Sequence, residues 1–274
     1  MRALITGASG GLGRYVCQVA DALGWETLTP SHTAFDLTVR DSVRDYLNLT
    51  TPDVVLHLAG LANVDRCQQH PQEAVQLNTL GTLHLTKLAK RVVYMSTNDV
   101  FSELPDAGTP GPYSFDDTPA PGNAYTWSKY AGEQAVLACN GAVVRANFFT
   151  RFCRAKESFV AYVLRNAQGR QSFDCYTNVI ACPVFARTLA ETLCSLAAGA
   201  SRGVFHIATA DSVNRLEQAR MICEAYGLDG SFARGKLLEN RDGRPLDARL
   251  IPNTGLEPLF VKEEIDRLQE AEPL

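Results

Sequence analysis

Arg2-Ala3-Leu4-Ile5-Thr6, followed at once by Gly7-Ala8-Ser9-Gly10-Gly11-Leu12-Gly13, decides the fold of this chain. The first five residues form an apolar run that reads as a buried strand. The segment after the glycines, Arg14-Tyr15-Val16-Cys17-Gln18-Val19-Ala20, reads as a helix. Gly7, Gly10 and Gly13 keep the spacing G-x-x-G-x-x-G. Such a turn exposes backbone N–H groups at a helix N-terminus, where a side chain would block a pyrophosphate. Leu12 packs inward, and Gly13 lets the helix lie close to the strand. A glycine-rich turn alone is a weak signal, but its place between strand and helix makes nucleotide binding the expected reading. The expected contacts are Gly7, Ser9, Gly10, Gly11, Leu12, Gly13 and Arg14.

Working outward, Trp25 to Thr29 reads as the second strand, ending at Ser31-His32. An acidic residue at this point would bind the ribose hydroxyls of NAD. Ser31 carries no charge, and His32 and Arg14 offer positive partners for a 2'-phosphate, so NADP(H) is favoured and NAD(H) stays open. A plain polar turn fits the same residues nearly as well. Asp36-Leu37-Thr38 reads as the opening of a helix with Thr38 at its N-cap, and Asp36 near the adenine end of the cofactor. Asp53 to Gly60 reads as a third strand, and its end at Leu58, Ala59 and Gly60 runs into small residues that a cofactor can pass closely. His57 reads as a satisfied core residue. Pro71 opens a long helix with Ala74, Leu77, Leu85 and Leu88 at helical spacing. Asn78 within it suits either a bond to backbone near the site or an exposed position.

A second stretch carries the chemistry. Val92-Val93-Tyr94 reads as a buried strand running into Ser96-Thr97, and Tyr125-Thr126-Trp127-Ser128-Lys129 opens a helix. Tyr125 and Lys129, four apart, share one helix face. A cation there would stabilise phenolate and bring the tyrosine below its reference value of about 10. Thr97, at a strand end, is placed to hold a carbonyl oxygen. The three suit proton transfer to oxygen while another group delivers or takes a hydride. Between them lies a Pro/Gly-rich loop that includes Pro105, Gly108, Pro110, Gly111 and Pro112, long enough to suggest function.

Gly141 to Arg145 reads as a further strand, and beyond Thr150 the alternation loosens. Asp174 to Pro183 is irregular and carries Tyr176 and Asn178, expected on the substrate side. The expected fold is α/β, a Rossmann-type doubly wound parallel sheet with a smaller α/β C-terminal substrate-binding lobe. Residues 1–149 are the expected NAD(P)-binding domain, to which a strand near 203–208 returns. Residues 150–274 make up mainly the discontinuous lobe.

The composition excludes several classes. The 274 residues carry a net charge of −4, with 46% hydrophobic and 20% charged residues. This balance gives no electrostatic reason to expect nucleic acid or an acidic membrane as partner. No uninterrupted apolar run reaches membrane-spanning length, and a cytoplasmic location is the default expectation. The eight cysteines show no close metal or redox pair, so reduced, mostly buried thiols and no metal are expected.

These motifs together resemble the extended short-chain dehydrogenase/reductase superfamily, and within it the dTDP-4-dehydrorhamnose reductase-like, sugar-nucleotide-binding family. The likeness rests on the glycine turn, Phe35-Asp36-Leu37-Thr38, Val64-Asp65-Arg66-Cys67, Asn78-Thr79-Leu80-Gly81-Thr82, Ser96-Thr97-Asn98-Asp99-Val100-Phe101, Tyr125-x-x-x-Lys129, Ala131-Gly132-Glu133, Arg145, His206 and Arg244-Pro245. It is strong to about Phe149 and looser beyond. It implies a keto nucleotide sugar as substrate and Thr97, Tyr125 and Lys129 as the catalytic set. Tyr125 would protonate the ketone, and Lys129 would hold the nicotinamide ribose. Asn63, Asn98 and Phe148 would contact the sugar, and a homodimer is compatible with the likeness. Phe148 stands where the family has a Trp-like residue, and Tyr176 to Cys182 departs from its usual wording. The Asn98-Asp99 pair after Thr97 argues against dehydration. An epimerase, and a non-catalytic NADP-binding subunit resembling the regulatory beta subunit of methionine adenosyltransferase, are the alternatives.

Overall fold

The computed structural model describes residues 1–101, 111–153, 157–239 and 246–274. Pro105, Gly108, Pro110 and Arg244-Pro245 lie outside them. The chain runs β1 (Arg2–Thr6), α1 (Gly11–Ala22), β2 (Glu26–Leu28), α2 (Arg40–Thr50), β3 (Val54–His57), α3 (Val64–Gln69), α4 (Pro71–Ala74), a π-helical segment Val75–Gly81, α5 (Thr82–Leu88) and β4 (Val92–Met95). It continues with α6 (Ala124–Ala138), β5 (Ala142–Ala146), β6 (Phe148–Phe149), α7 (Phe159–Gln168), β7 (Phe173–Tyr176), β8 (Ile180–Ala181), β9 (Val184–Phe185) and α8 (Ala186–Ala198). The last elements are β10 (Gly203–Ile207), β11 (Val213–Asn214), α9 (Arg215–Ala225), β12 (Ala233–Lys236) and α10 (Val261–Ala271).

Six strands form one sheet in the order β10-β5-β4-β3-β1-β2, and every neighbouring pair is parallel. The order reverses between β1 and β3, so the C-terminal strand ends open a crevice there, where such sheets bind ligands. Successive side chains of a strand point to opposite faces. Ala3, Ile5, Val54, Leu56, Val93, Met95, Ala142 and Val144 join one apolar core with α1, α7, α8, α9 and α10. Leu4, Val55, Val92, Tyr94 and Val143 join the other, with Val43 and Leu47 of α2, Leu85 of α5 and Val136 of α6. Burial on both faces explains why these strands read as continuous apolar runs. Among the described residues, three two-stranded pairs, β6 with β9, β7 with β12 and β8 with β11, stand outside the sheet.

Two elements differ from expectation. Thr38 does not cap a helix; α2 begins at Arg40 behind Val39. The Thr38 N–H and hydroxyl both donate to Asp36 Oδ1, at 2.9 and 2.7 Å, forming an Asx turn. That hydroxyl is committed locally and cannot serve the helix. The long helix from Pro71 is also not uniformly α; Val75–Gly81 widens to π geometry, a local form that recurs at functional sites. The widened turn faces α6, where a side chain on Gly132 would meet the Asn78 carbonyl at 2.6 Å.

Candidate active site

The glycine turn has the geometry its sequence implies. Gly7 has φ +71°, a left-handed conformation that glycine adopts without strain. A Cβ on Gly13 would sit 2.2 Å from the Gly7 carbonyl oxygen, so α1 packs on its own turn because Gly13 has no side chain. Gly11 is tight for a reason the spacing does not reveal. A Cβ there would meet the Phe152 carbonyl at 2.6 Å and the Thr150 methyl at 2.9 Å. The segment after β6 therefore crosses the N-terminus of α1.

Two cavities meet along this turn and share Gly7, Gly10, Leu58 and Gly60. The larger, about 880 Å³, also takes in Ser9, Ser31, His32, Leu37 and Ala59. The smaller, about 190 Å³, also takes in Gly11, Leu12, Gly13, Tyr125, Lys129 and Phe148. The groove fits an extended dinucleotide. It has a helix N-terminus at its middle, close-approach glycines and an end lined by Ser31 and His32. The buried Thr150 hydroxyl, in the segment beside Gly11, has no partner among the described residues.

Tyr125 is half-buried near the start of α6, whose N-cap Asn123 accepts from the Thr126 N–H at 3.0 Å. The Thr97 hydroxyl stands near enough to the Tyr125 phenol to lower its pKa, and it accepts from the Asp99 N–H at 3.1 Å. Burial, reinforced by the charge of Asp99, raises the Tyr125 pKa well above the usual tyrosine value, with only Thr97 pulling it down. Lys129 is not what sets it. Its ammonium donates to the Met95 carbonyl at 2.7 Å and lies 4.1 Å from the centre of the Tyr94 ring. Burial lowers its own pKa to about 7, opposed by Glu133. The expectation that the lysine cation acidifies Tyr125 is therefore corrected. The pair shares a helix face, but the lysine is turned under the sheet edge toward Met95. The result is a tyrosine that holds its proton at neutral pH, which suits a general acid better than a base.

Beneath the site lies an ion pair the sequence reading did not single out as chemistry. Glu133, fully buried, accepts from Arg145 Nη2 at 2.7 Å and from the Ser96 hydroxyl at 2.5 Å. Arg145 also approaches His206 Nε2 at 3.4 Å. Glu133 stands four residues after Lys129, so its helical spacing was the available signal. His57 is a satisfied core residue, as expected. Its ring nitrogens meet Thr6 Oγ1 at 2.7 Å and Thr82 Oγ1 at 3.0 Å, and burial lowers its pKa to about 3.

Several expected ligand contacts have other employment. Asn78 is buried; its Oδ1 accepts from the Leu61 N–H at 2.8 Å, and its Nδ2 donates to Leu61 O and Ser128 Oγ. It braces the strand-end loop rather than facing the groove. Asp36 is spent on its Asx turn. The Arg14 guanidinium lies 4.5 Å from the Phe152 ring centre and 4.0 Å from Glu272, away from Ser31 and His32. The Asn63 side chain caps α3 by accepting from Arg66 N. Asn98 donates to Ala248 O at 3.1 Å, and Asn178 clasps the backbone of Leu238 through both ends of its amide. Tyr176 is exposed at the end of β7. Short polar side chains satisfy nearby backbone groups first, and that competition is invisible without the fold.

Comparison with known proteins gives a family and a fold. The model of the RmlD substrate binding domain matches residues 1–251. A dTDP-4-dehydrorhamnose reductase of Mycolicibacterium smegmatis is 34% identical over 240 residues, which cover 85% of this chain and 72% of that protein. Methionine adenosyltransferase 2 subunit beta of Danio rerio is 30% identical over 252 residues, covering 84% of this chain and 75% of that protein. The crystal structure of dTDP-4-dehydrorhamnose reductase from Bacillus anthracis, in complex with NADP, superposes with a TM-score of 0.89. It is 22% identical, and 99% of each chain is covered.

Proposed function

The chain belongs to the RmlD substrate binding domain family, and we propose that it is an NADPH-dependent reductase of a keto nucleotide sugar of the dTDP-4-dehydrorhamnose kind. The observation that carries this reading is the meeting of Tyr125 and Lys129 with the glycine turn in one cavity, with the Thr97 hydroxyl near the Tyr125 phenol. NADPH, when bound, supplies the hydride. In this reading the Thr97 hydroxyl and the Tyr125 phenol both hold the ketone oxygen. As that oxygen gains charge, Tyr125 gives it the phenolic proton. Lys129, whose ammonium donates to Met95 O, would hold the nicotinamide ribose. Ser31 and His32 leave the ribose end free of carboxylates, which favours NADPH over NADH. Phe148, in the cavity wall, meets the sugar.

The test is absorbance of NADPH and NADH with dTDP-4-dehydrorhamnose and other keto nucleotide sugars. Turnover with one of them is the expected result. The 30% identity to methionine adenosyltransferase 2 subunit beta of Danio rerio favours a second reading, a dinucleotide-binding partner protein. Tight NADPH binding with no turnover on any ketone would select it.

A further inference from the structure

Glu272, just beyond the end of α10, is joined to three distant parts of the chain. Its Oε1 accepts from the Tyr15 hydroxyl of α1 at 2.5 Å, and its Oε2 accepts from the Arg151 N–H at 2.9 Å. Its backbone oxygen accepts from the Tyr226 hydroxyl at 2.7 Å and from Arg151 Nη1 at 3.5 Å. Arg151 also donates to the Pro273 carbonyl.

Arg151 lies in the segment that crosses the glycine turn. Phe149 ends the short ladder with β9, and past it the backbone has left the sheet. Thr150 and Phe152 then fill the space a side chain on Gly11 would need. Two side chains hold the backbone of Arg151: Glu272 takes its N–H, and the Ser158 hydroxyl donates to its carbonyl at 2.7 Å. On the outer side, Arg14 packs over Phe152 and faces the same carboxylate. A charged acceptor binds a backbone N–H more strongly than a neutral one.

We propose that Glu272 is the positioning residue that pins the Thr150–Phe152 crossing onto the pyrophosphate-binding turn and so sets the affinity for the dinucleotide. The proposal rests on the dinucleotide part of the proposed function and not on the sugar. Without the carboxylate, Arg151 N–H and Tyr15 lose their acceptor together, and the crossing leaves Gly11. The α1 N-terminus then loses its cover, and Thr150, whose unpartnered hydroxyl lies in that crossing, is displaced. Binding must first re-order the segment, which reduces the apparent affinity.

The experiment titrates NADPH fluorescence on the full chain, wild type against Glu272→Ala, Glu272→Gln and Tyr15→Phe, at a temperature where circular dichroism shows each variant folded. The expected Kd for Glu272→Ala is about tenfold weaker or more, and Glu272→Gln, which keeps one acceptor, falls between. Amide exchange at Arg151 should speed up in Glu272→Ala, and NADPH should slow it in the wild type. With ketone substrate, KM for NADPH should rise while kcat at saturation holds. Equal Kd values within twofold in all variants, with wild type binding, would overturn the proposal and leave the proposed function standing. A wild type that binds neither NADPH nor NADH would overturn both. If Glu272→Ala does not fold, Glu272→Gln and Tyr15→Phe decide by the same criterion.

Discussion

The Lys129 ammonium donates to the Met95 carbonyl at 2.7 Å, at the end of a buried strand and under the catalytic candidate Tyr125. Burial lowers its pKa to about 7 from an ordinary value of 10.5. The unfolded chain then holds a proton that the folded chain has released between pH 7 and 10.5. Stability contributed at this site rises with pH across that window, and the cost of the buried charge is fully present below it. Lys129→Met removes that slope. Thermal unfolding from pH 6 to 10 should show the mutant gaining on the wild type at the acid end, with the gap closing as pH rises. A constant gap would mean that Lys129 is charged throughout.

Tyr125→Phe removes the proton donor and little else. We expect NADPH to bind within a few-fold of wild type and kcat to fall by about 10²–10⁴. Because the Tyr125 pKa is raised, the group stays protonated through the neutral range, so its loss of the acid form appears only at alkaline pH. A pH–rate profile of kcat with a Tyr125-dependent limb near neutrality would contradict the assignment.

Glu133 and Arg145 form a buried pair beneath Ser96. Removing one partner leaves a buried charge alone, and Glu133→Ala should destabilise the protein by about 3–5 kcal/mol. Replacing both with apolar residues of similar size should cost clearly less. Denaturant unfolding of the two single variants and the double variant tests this through the sign of the coupling.

Ser31 lines the larger cavity, and in the proposed reading a carboxylate there would repel a 2'-phosphate. Ser31→Asp should weaken NADPH by about tenfold or more and leave NADH unchanged or tighter. Paired titrations at low and moderate salt would measure it. Equal weakening of both coenzymes would place the ribose end elsewhere.

Much of this architecture was legible because it depends on local pattern. The strand–glycine–helix run at Arg2–Ala22, the apolar runs at β3, β4 and β5, and the Tyr125/Lys129 spacing all carry their own geometry. Steric demand at Gly13, against Gly7 and Ala8, acts within a few residues of chain, and strands buried on both faces carry that burial in their own continuous apolar runs. The π-helical Val75–Gly81, the commitments of Asn98 and Asn178, and the reach of Glu272 to Tyr15 were not legible. Each depends on which distant group fills a vacancy left by the local turn.

From its sequence alone, this protein had a dinucleotide turn, a parallel α/β sheet and a tyrosine–lysine pair on one helix face. Those follow from hard-sphere limits on glycine positions and from the periodicities of helix and strand. Tertiary structure alone decided that Lys129 rests on Met95, that Tyr125 keeps its proton, and that Arg14 faces Glu272 rather than the ribose end. The reason is electrostatic. A charge settles by the solvation and the partners it finds in three dimensions, and burial and long-range neighbours are not written in the spacing of residues.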